Sequence, residues 1–355
     1  MKPAYSATLA CTFLAGFQIG AAFANDSSAE LSTGGLVFTR NAAIEMRAED
    51  LFISSKEIRV QYSFFNGAGA PITTLVAFPL PDITKEGSDD VIAVPSEKAP
   101  ENFVDFSTKS DGRPVNAQVE QKAFLKNIDH TALLRRLGVP LAPYLRGISG
   151  QLDALPAEAR KELLDLHLVQ GETEYVDNKP IVHLQPAWTL KTTYYWEQTF
   201  PPGETRIEHH YRPSVGVTLG TSIGNPNVMD LLKKDKLDES ESEEVADYRY
   251  HLKTYCIDDA ALADAVKIRD AIPENAEGRT LIEQRISYIL TTGANWAGPI
   301  KSFRLVVDKG YPDNIVSFCG DGVRKTSPTT FEMTKTDFTL ARNLSILILT
   351  THMED

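Results

Sequence analysis

The sequence predicts a mainly β protein: an antiparallel β-sandwich with a helical insertion, followed by a smaller α+β C-terminal lobe. Three observations predict it. Apolar and polar residues alternate through the first third, as in Ile58, Val60, Tyr62 and Phe64 against Arg59, Gln61 and Ser63. That period of two is the mark of a strand with one buried face. Near Lys122 the spacing becomes helical, and past an acidic stretch the chain returns to short β-prone runs around one helix.

Taken in order, Met1-Lys2, an apolar run from Ala7 to Ala22 and the triplet Ala22-Phe23-Ala24 form the three parts of a secretory signal peptide, residues 1–24. Cleavage is expected between Ala24 and Asn25. Gly16, Gln18 and Gly20 interrupt the run, which argues against a retained membrane anchor. Cys11 does not mark a lipoprotein, because Leu9 is one position too close to it and the apolar run continues beyond.

The sandwich is expected over 25–224. Ile44 with Met46, and Leu51 with Ile53, suggest two short strands. Asn66-Gly67-Ala68-Gly69 makes a turn, and "ITTLVAFPLP", residues 72–81, is apolar on both faces, as in a strand inside a sheet. Asp111-Gly112 signals a hairpin. The helical insertion covers about 122–168: Asp129 can cap "HTALLRRL", and Pro156 opens a helix with Ala159, Leu163 and Leu166 on one side. Alternation resumes on both sides of Pro201-Pro202-Gly203.

Residues 225–247 are polar and acidic and read as a solvated linker or helix dividing two lobes. The lobe 248–355 is expected to begin with a strand at "YRYHLKTYCID", followed by a helix capped by Asp258 or Asp259 and five further strands.

The chain carries 36 basic and 48 acidic residues. Without Lys2 the balance is 35 against 48, a formal charge of −13. Nucleic acid and anionic lipid both require clustered Lys and Arg, so neither is the expected partner. Beyond residue 24 the only cysteines are Cys256 and Cys319. An even pair in an oxidising compartment predicts a disulfide between them.

Four stretches together resemble the bacterial family known as domain of unknown function 4424. They are "NDSSAELSTGGLVFTRNAAIEMRAEDLFIS", "VAFPLPDI", "WEQTFPPGETRIEHHYRPSVG" and "NIVSFCGDG". The order "YSFFNGAGAPITTLVAFPLP", "DGRPVNAQVEQKAF", "FPPGETRIEHHY" also resembles the vault and inter-alpha-trypsin (VIT) domain. That second likeness implies a β-sandwich used in extracellular or assembly roles.

Four motifs invite chemical readings. In "RIEHHYR" the adjacent His209 and His210 would project from opposite faces of a strand, so they are not expected to share a metal. Asp238-Glu239-Ser240-Glu241-Ser242 has the letters of a von Willebrand A metal motif, but no apolar strand precedes it. Gly220-Thr221-Ser222-Ile223-Gly224 fits the nucleophile elbow of serine hydrolases, with His251 as the required base. Yet Asn225-Pro226-Asn227 follows where a helix should start. Glu197 and Glu208 flank the Pro201-Pro202-Gly203 turn and would serve a glycosidase if they met across neighbouring strands.

No phosphate loop, CxxC pair or HExxH helix occurs, so no cofactor and no metal are expected. The resulting expectation is an exported, periplasmic or secreted, non-enzymatic cell-envelope protein, with no catalytic residue and with a protein or envelope polymer as partner. The rival is a hydrolase using Ser222 or the Glu197/Glu208 pair.

Overall fold

The structure, a computed structural model, describes residues 26–32, 35–84, 90–176, 179–234, 236–273, 280–339 and 341–352. The signal segment, its cleavage point at Ala24 and Asn25, and Cys11 lie outside the described residues. No helix among the described residues is long and apolar enough to cross a membrane.

Three sheets enclose one core. The large sheet has eight strands, and its centre is formed by Ile44–Ile53, Ile58–Asn66 and Gly203–Tyr211. A first sheet places Ile72–Pro79 between Thr189–Phe200 and the N-terminal strand Ser27–Ser32. A third sheet runs Ile315–Phe318, Leu344–Thr350, Ile282–Tyr288, Val215–Leu219, Asp90–Ala93. Alternate residues of all three point inward: Val60, Tyr62 and Phe64 from the large sheet, Val76, Phe78 and Trp196 from the first, Ile286, Tyr288 and Ile346 from the third. The period-two reading thus locates the core correctly.

Its failures are local and have physical causes. The two strands expected around Ile44 and Leu51 are one, Ile44–Ile53, with a register shift between Met46 and Ala48. A bulge there inserts one residue, which moves the buried set from even to odd positions. The two lobes expected on either side of 225–247 are not separate. Ile300–Asp308 pairs in parallel with Ile44–Ile53, and Val215–Leu219 pairs with Ile282–Tyr288, so both halves of the chain build the same sheets.

The strand expected at 248–258 is instead the C-terminal part of the helix Glu239–Thr254. Val245 and Tyr248 are buried on it, with Leu252 packed beside them, and that spacing is helical. Asp238 caps it: its carboxylate accepts from Glu241 N–H at 2.8 Å, while the Glu241 side chain accepts from Asp238 N–H. Ser242 Oγ donates to Asp238 O at 2.6 Å. The von Willebrand-like letters are therefore a helix start, with this hydroxyl turned to the backbone.

The insertion forms three short helices, Thr131–Arg136, Ile148–Asp153 and Ala157–Asp165, closed by the hairpin Val169–Val176 and Lys179–Pro186. They share a satellite core centred on fully buried Trp188, whose indole donates to Leu141 O at 2.8 Å. At its surface His183 Nδ1 meets Asp153 Oδ2 at 2.7 Å. This hydrogen bond holds the His183 pKa above its ordinary value. Because the folded value lies above the unfolded one, the contribution is fully present below pH of about 6.5 and fades as pH rises through the raised pKa. NMR titration of the His183 ring should show an elevated midpoint that falls towards about 6.5 in Asp153→Asn; an unchanged midpoint contradicts the pairing.

Near Cys256 and Cys319, Ser317 Oγ donates to Tyr255 O at 2.9 Å. The two sulfurs lie at disulfide distance, 1.94 Å, with Cα atoms 5.0 Å apart. The link ties the end of the helix Glu239–Thr254 to the edge of the third sheet.

Candidate functional site

The outer face of the third sheet is polar where its helices do not cover it. Gly216 lies opposite Arg285 and Thr218 opposite Glu283, so these four share one face. Helix Glu239–Thr254 stands over them and leaves a cleft of about 710 Å³, also lined by Ser214, Ser222, Ser287, Tyr250 and the segment from Pro81 to Thr84.

The floor of the cleft is a buried carboxylate. Glu283 is 2 % exposed. One of its oxygens accepts from the Thr221 hydroxyl. The other accepts from Arg285 Nη1 at 3.0 Å and faces His251 Nε2 at 3.8 Å. Arg285 Nη1 also donates to Thr218 Oγ1 at 2.6 Å. A side chain at Gly216 would stand 3.3 Å from Arg285 Nε, so the glycine gives the guanidinium room to lie along the sheet. A buried carboxylate is tolerated only when its lone pairs are met in this way.

Ser222 reaches this cleft without becoming a nucleophile elbow. The helix after it, Pro226–Leu231, is capped by Asn225, whose side chain accepts from Asn227 N–H, so the serine stops three residues short of the helix mouth. The N–H of Ile223, which an oxyanion hole would require, donates to Thr221 Oγ1 at 3.0 Å. His251 Nδ1 bonds the Asp247 carbonyl at 3.0 Å and Nε2 faces Glu283 at 3.8 Å, and no hydrogen bond joins His251 to Ser222 among the described residues.

The glutamate pair does not form. Glu197 lies in the first sheet and Glu208 in the large one. Both stand on faces that alternate with the buried residues, Trp196 and Gln198 in one case, Ile207 and His209 in the other. The Pro201-Pro202-Gly203 turn carries the chain from one sheet to the other, so the two carboxylates point outward on separate layers.

The adjacent histidines diverge. His210 Nε2 meets Glu57 Oε2 at 3.2 Å near the surface. His209 Nε2 meets Asp26 Oδ1 at 3.0 Å with both side chains fully buried. Its ring lies among Phe78, Phe106, Trp196 and Tyr62, with centroids 4.9–5.6 Å away. Burial pushes the Asp26 carboxyl up, and His209 offsets this only in part. Trp296 Nε1 donates to Asp26 O at 2.6 Å, which ties the backbone at Asp26 to the core. Among the described residues no three His, Cys, Asp or Glu gather as a metal site.

Sequence reasoning missed Asp26, Asp247, Tyr250, Glu283 and Arg285. The last two carried a faint signal: an acid and a base two apart in a β-prone run must share a face. Nothing local shows that this face meets Thr218 and His251.

Fold and site together define a β-rich protein with a polar cleft on one sheet. The family model "Domain of unknown function (DUF4424)" matches residues 24–347, and the chain belongs to that family. Curated proteins give no match. Among solved structures, the crystal structure of a "putative nutrient binding protein" from Legionella pneumophila is similar at 13 % identity, over 92 % of this chain and 70 % of that one, with a TM-score of 0.38. At that level the likeness carries no argument about function. Neither match carries the resemblance to a VIT domain.

Proposed function

We propose that this protein is an exported, non-enzymatic binding component of the cell envelope, periplasmic where the host has two membranes, and that its ligand seats in the cleft over the third sheet. The observation that supports it is the cleft floor. A Glu283–Arg285 pair whose carboxylate is buried and whose guanidinium is part-buried contributes little stability compared with apolar packing of the same volume. Its presence beneath an open cleft fits recognition better than folding. Export is supported by the signal-like N-terminus and by a cysteine pair at disulfide distance. Mass spectrometry of protein recovered outside the cytoplasm should find an N-terminus at Asn25; a chain still starting at Met1 contradicts it.

One observation favours a second reading, a serine hydrolase: Ser222 and His251 line the same cleft. The two readings separate with a fluorophosphonate probe. The binding reading expects no adduct on Ser222; an adduct lost in Ser222→Ala overturns it.

A further inference from the structure

We infer, on the reading that the cleft is a binding site, that its ligand is a neutral polyhydroxylated molecule, a saccharide segment, stacked on Tyr250 and hydrogen-bonded along the polar face of the third sheet. The charges on the floor and inner wall of the cleft are matched within the protein, and Asp247, at its rim, is exposed to solvent with its carboxylate 3.9 Å from His251 Nδ1. Asp82 is paired with Lys191 and Glu283 with Arg285. A ligand bearing net charge would have to break these pairs or enter a low-dielectric cleft beside them uncompensated. An uncharged ligand leaves them intact.

The hydroxyls are the complement. Those of Ser214, Ser222 and Ser287 line the cleft and have no hydrogen-bond partner among the described residues. A hydroxyl donates once and accepts twice, which is also what each hydroxyl of a sugar does, so such a wall suits a polyol. Tyr250 supplies the platform. This residue is 63 % exposed at the cleft edge, one helical turn from Asp247. A large exposed aromatic side chain beside polar groups is a frequent anchor for ligands with one apolar face. The cleft volume of about 710 Å³ falls within the usual range for small-molecule sites.

The principal rival is an organic cation, because the same helix carries Glu243 and Glu244 just outside the cleft. Those carboxylates border an open surface, where charges are screened by salt.

The test is calorimetric titration of the full mature chain with maltotriose, cellotriose and chitotriose as neutral probes, spermidine as a cation and inorganic phosphate as an anion. Tyr250 and Ser287 are both exposed, so Tyr250→Ala and Ser287→Ala leave the fold in place. At least one trisaccharide should bind, with affinity little changed by added salt, weakened about tenfold by Tyr250→Ala and about threefold by Ser287→Ala. Binding of spermidine or phosphate instead, lost in Tyr250→Ala, overturns the saccharide and leaves the cleft as a binding site. Binding by no probe, or a trisaccharide bound equally well by both variants, overturns the cleft assignment as well.

Discussion

His209→Ala is expected to destabilise the protein by about 3–5 kcal/mol, the usual effect of removing one member of a fully buried polar pair. Both His209 and Asp26 have fully buried side chains, so the carboxyl group left behind could not recover its bond from water. Asp26→Asn keeps the shape and a hydrogen-bonding group and should cost much less. It should also change the pH dependence. The Asp26 pKa is raised by burial in the folded state, so the native chain holds the proton where the unfolded chain has lost it. Its contribution is fully present below pH of about 4 and declines as pH rises through the raised folded value. Urea unfolding from pH 4 to 8 should therefore show wild type losing stability relative to Asp26→Asn over that window. A difference that is flat, or that grows with pH in favour of wild type, contradicts the assignment.

The second large effect concerns Cys256 and Cys319. Their sequence separation of 63 residues corresponds to about 4 kcal/mol in the chain-entropy account of a disulfide. Serine at both positions should lower unfolding stability by that order. The loss should also reach the cleft, because the link secures the end of the helix that carries Asp247, Tyr250 and His251. Faster proteolysis near residues 247–256 in the double variant is the expected sign. Mass spectrometry of the unreduced protein should find the two peptides joined. Free thiols, or a stability loss below about 1 kcal/mol, contradict this role.

Much of the architecture was legible in single strands. Residues 58–64 and 203–211 alternate cleanly because one face is buried and the other is wet, and that difference is written in side-chain polarity. The insertion was legible for the same reason at another period. Which strands become neighbours was not. Ile300–Asp308 lies beside Ile44–Ile53 through backbone bonds that any residues can make, and nothing local encodes the pairing. Whether Glu197 and Glu208 meet was left open on this account: the turn between them joins two sheets and not two strands of one.

The stretch 248–258 shows a different limit. Tyr248, Tyr250 and Tyr255 favour strands by type, yet Val245 and Tyr248 are buried on one helical face, and Tyr255, at the helix C-cap, joins the same core cluster as Tyr248. The capping box at Asp238 and Glu241, ten residues upstream, was the clue that outweighs propensity. The cleft inherits that difficulty, since one of its walls is this helix and the other is a sheet assembled from distant segments.

The central claim is that the polar cleft above Glu283 is where this protein meets its ligand. Hydrogen exchange, followed by mass spectrometry on the protein with each of the trisaccharide, spermidine and phosphate probes, tests it most directly. The account predicts slower exchange in residues 81–84, 220–225 and 247–255 with at least one probe and little change elsewhere. Exchange unaltered in all three stretches, or protection confined to another part of the surface, would contradict it.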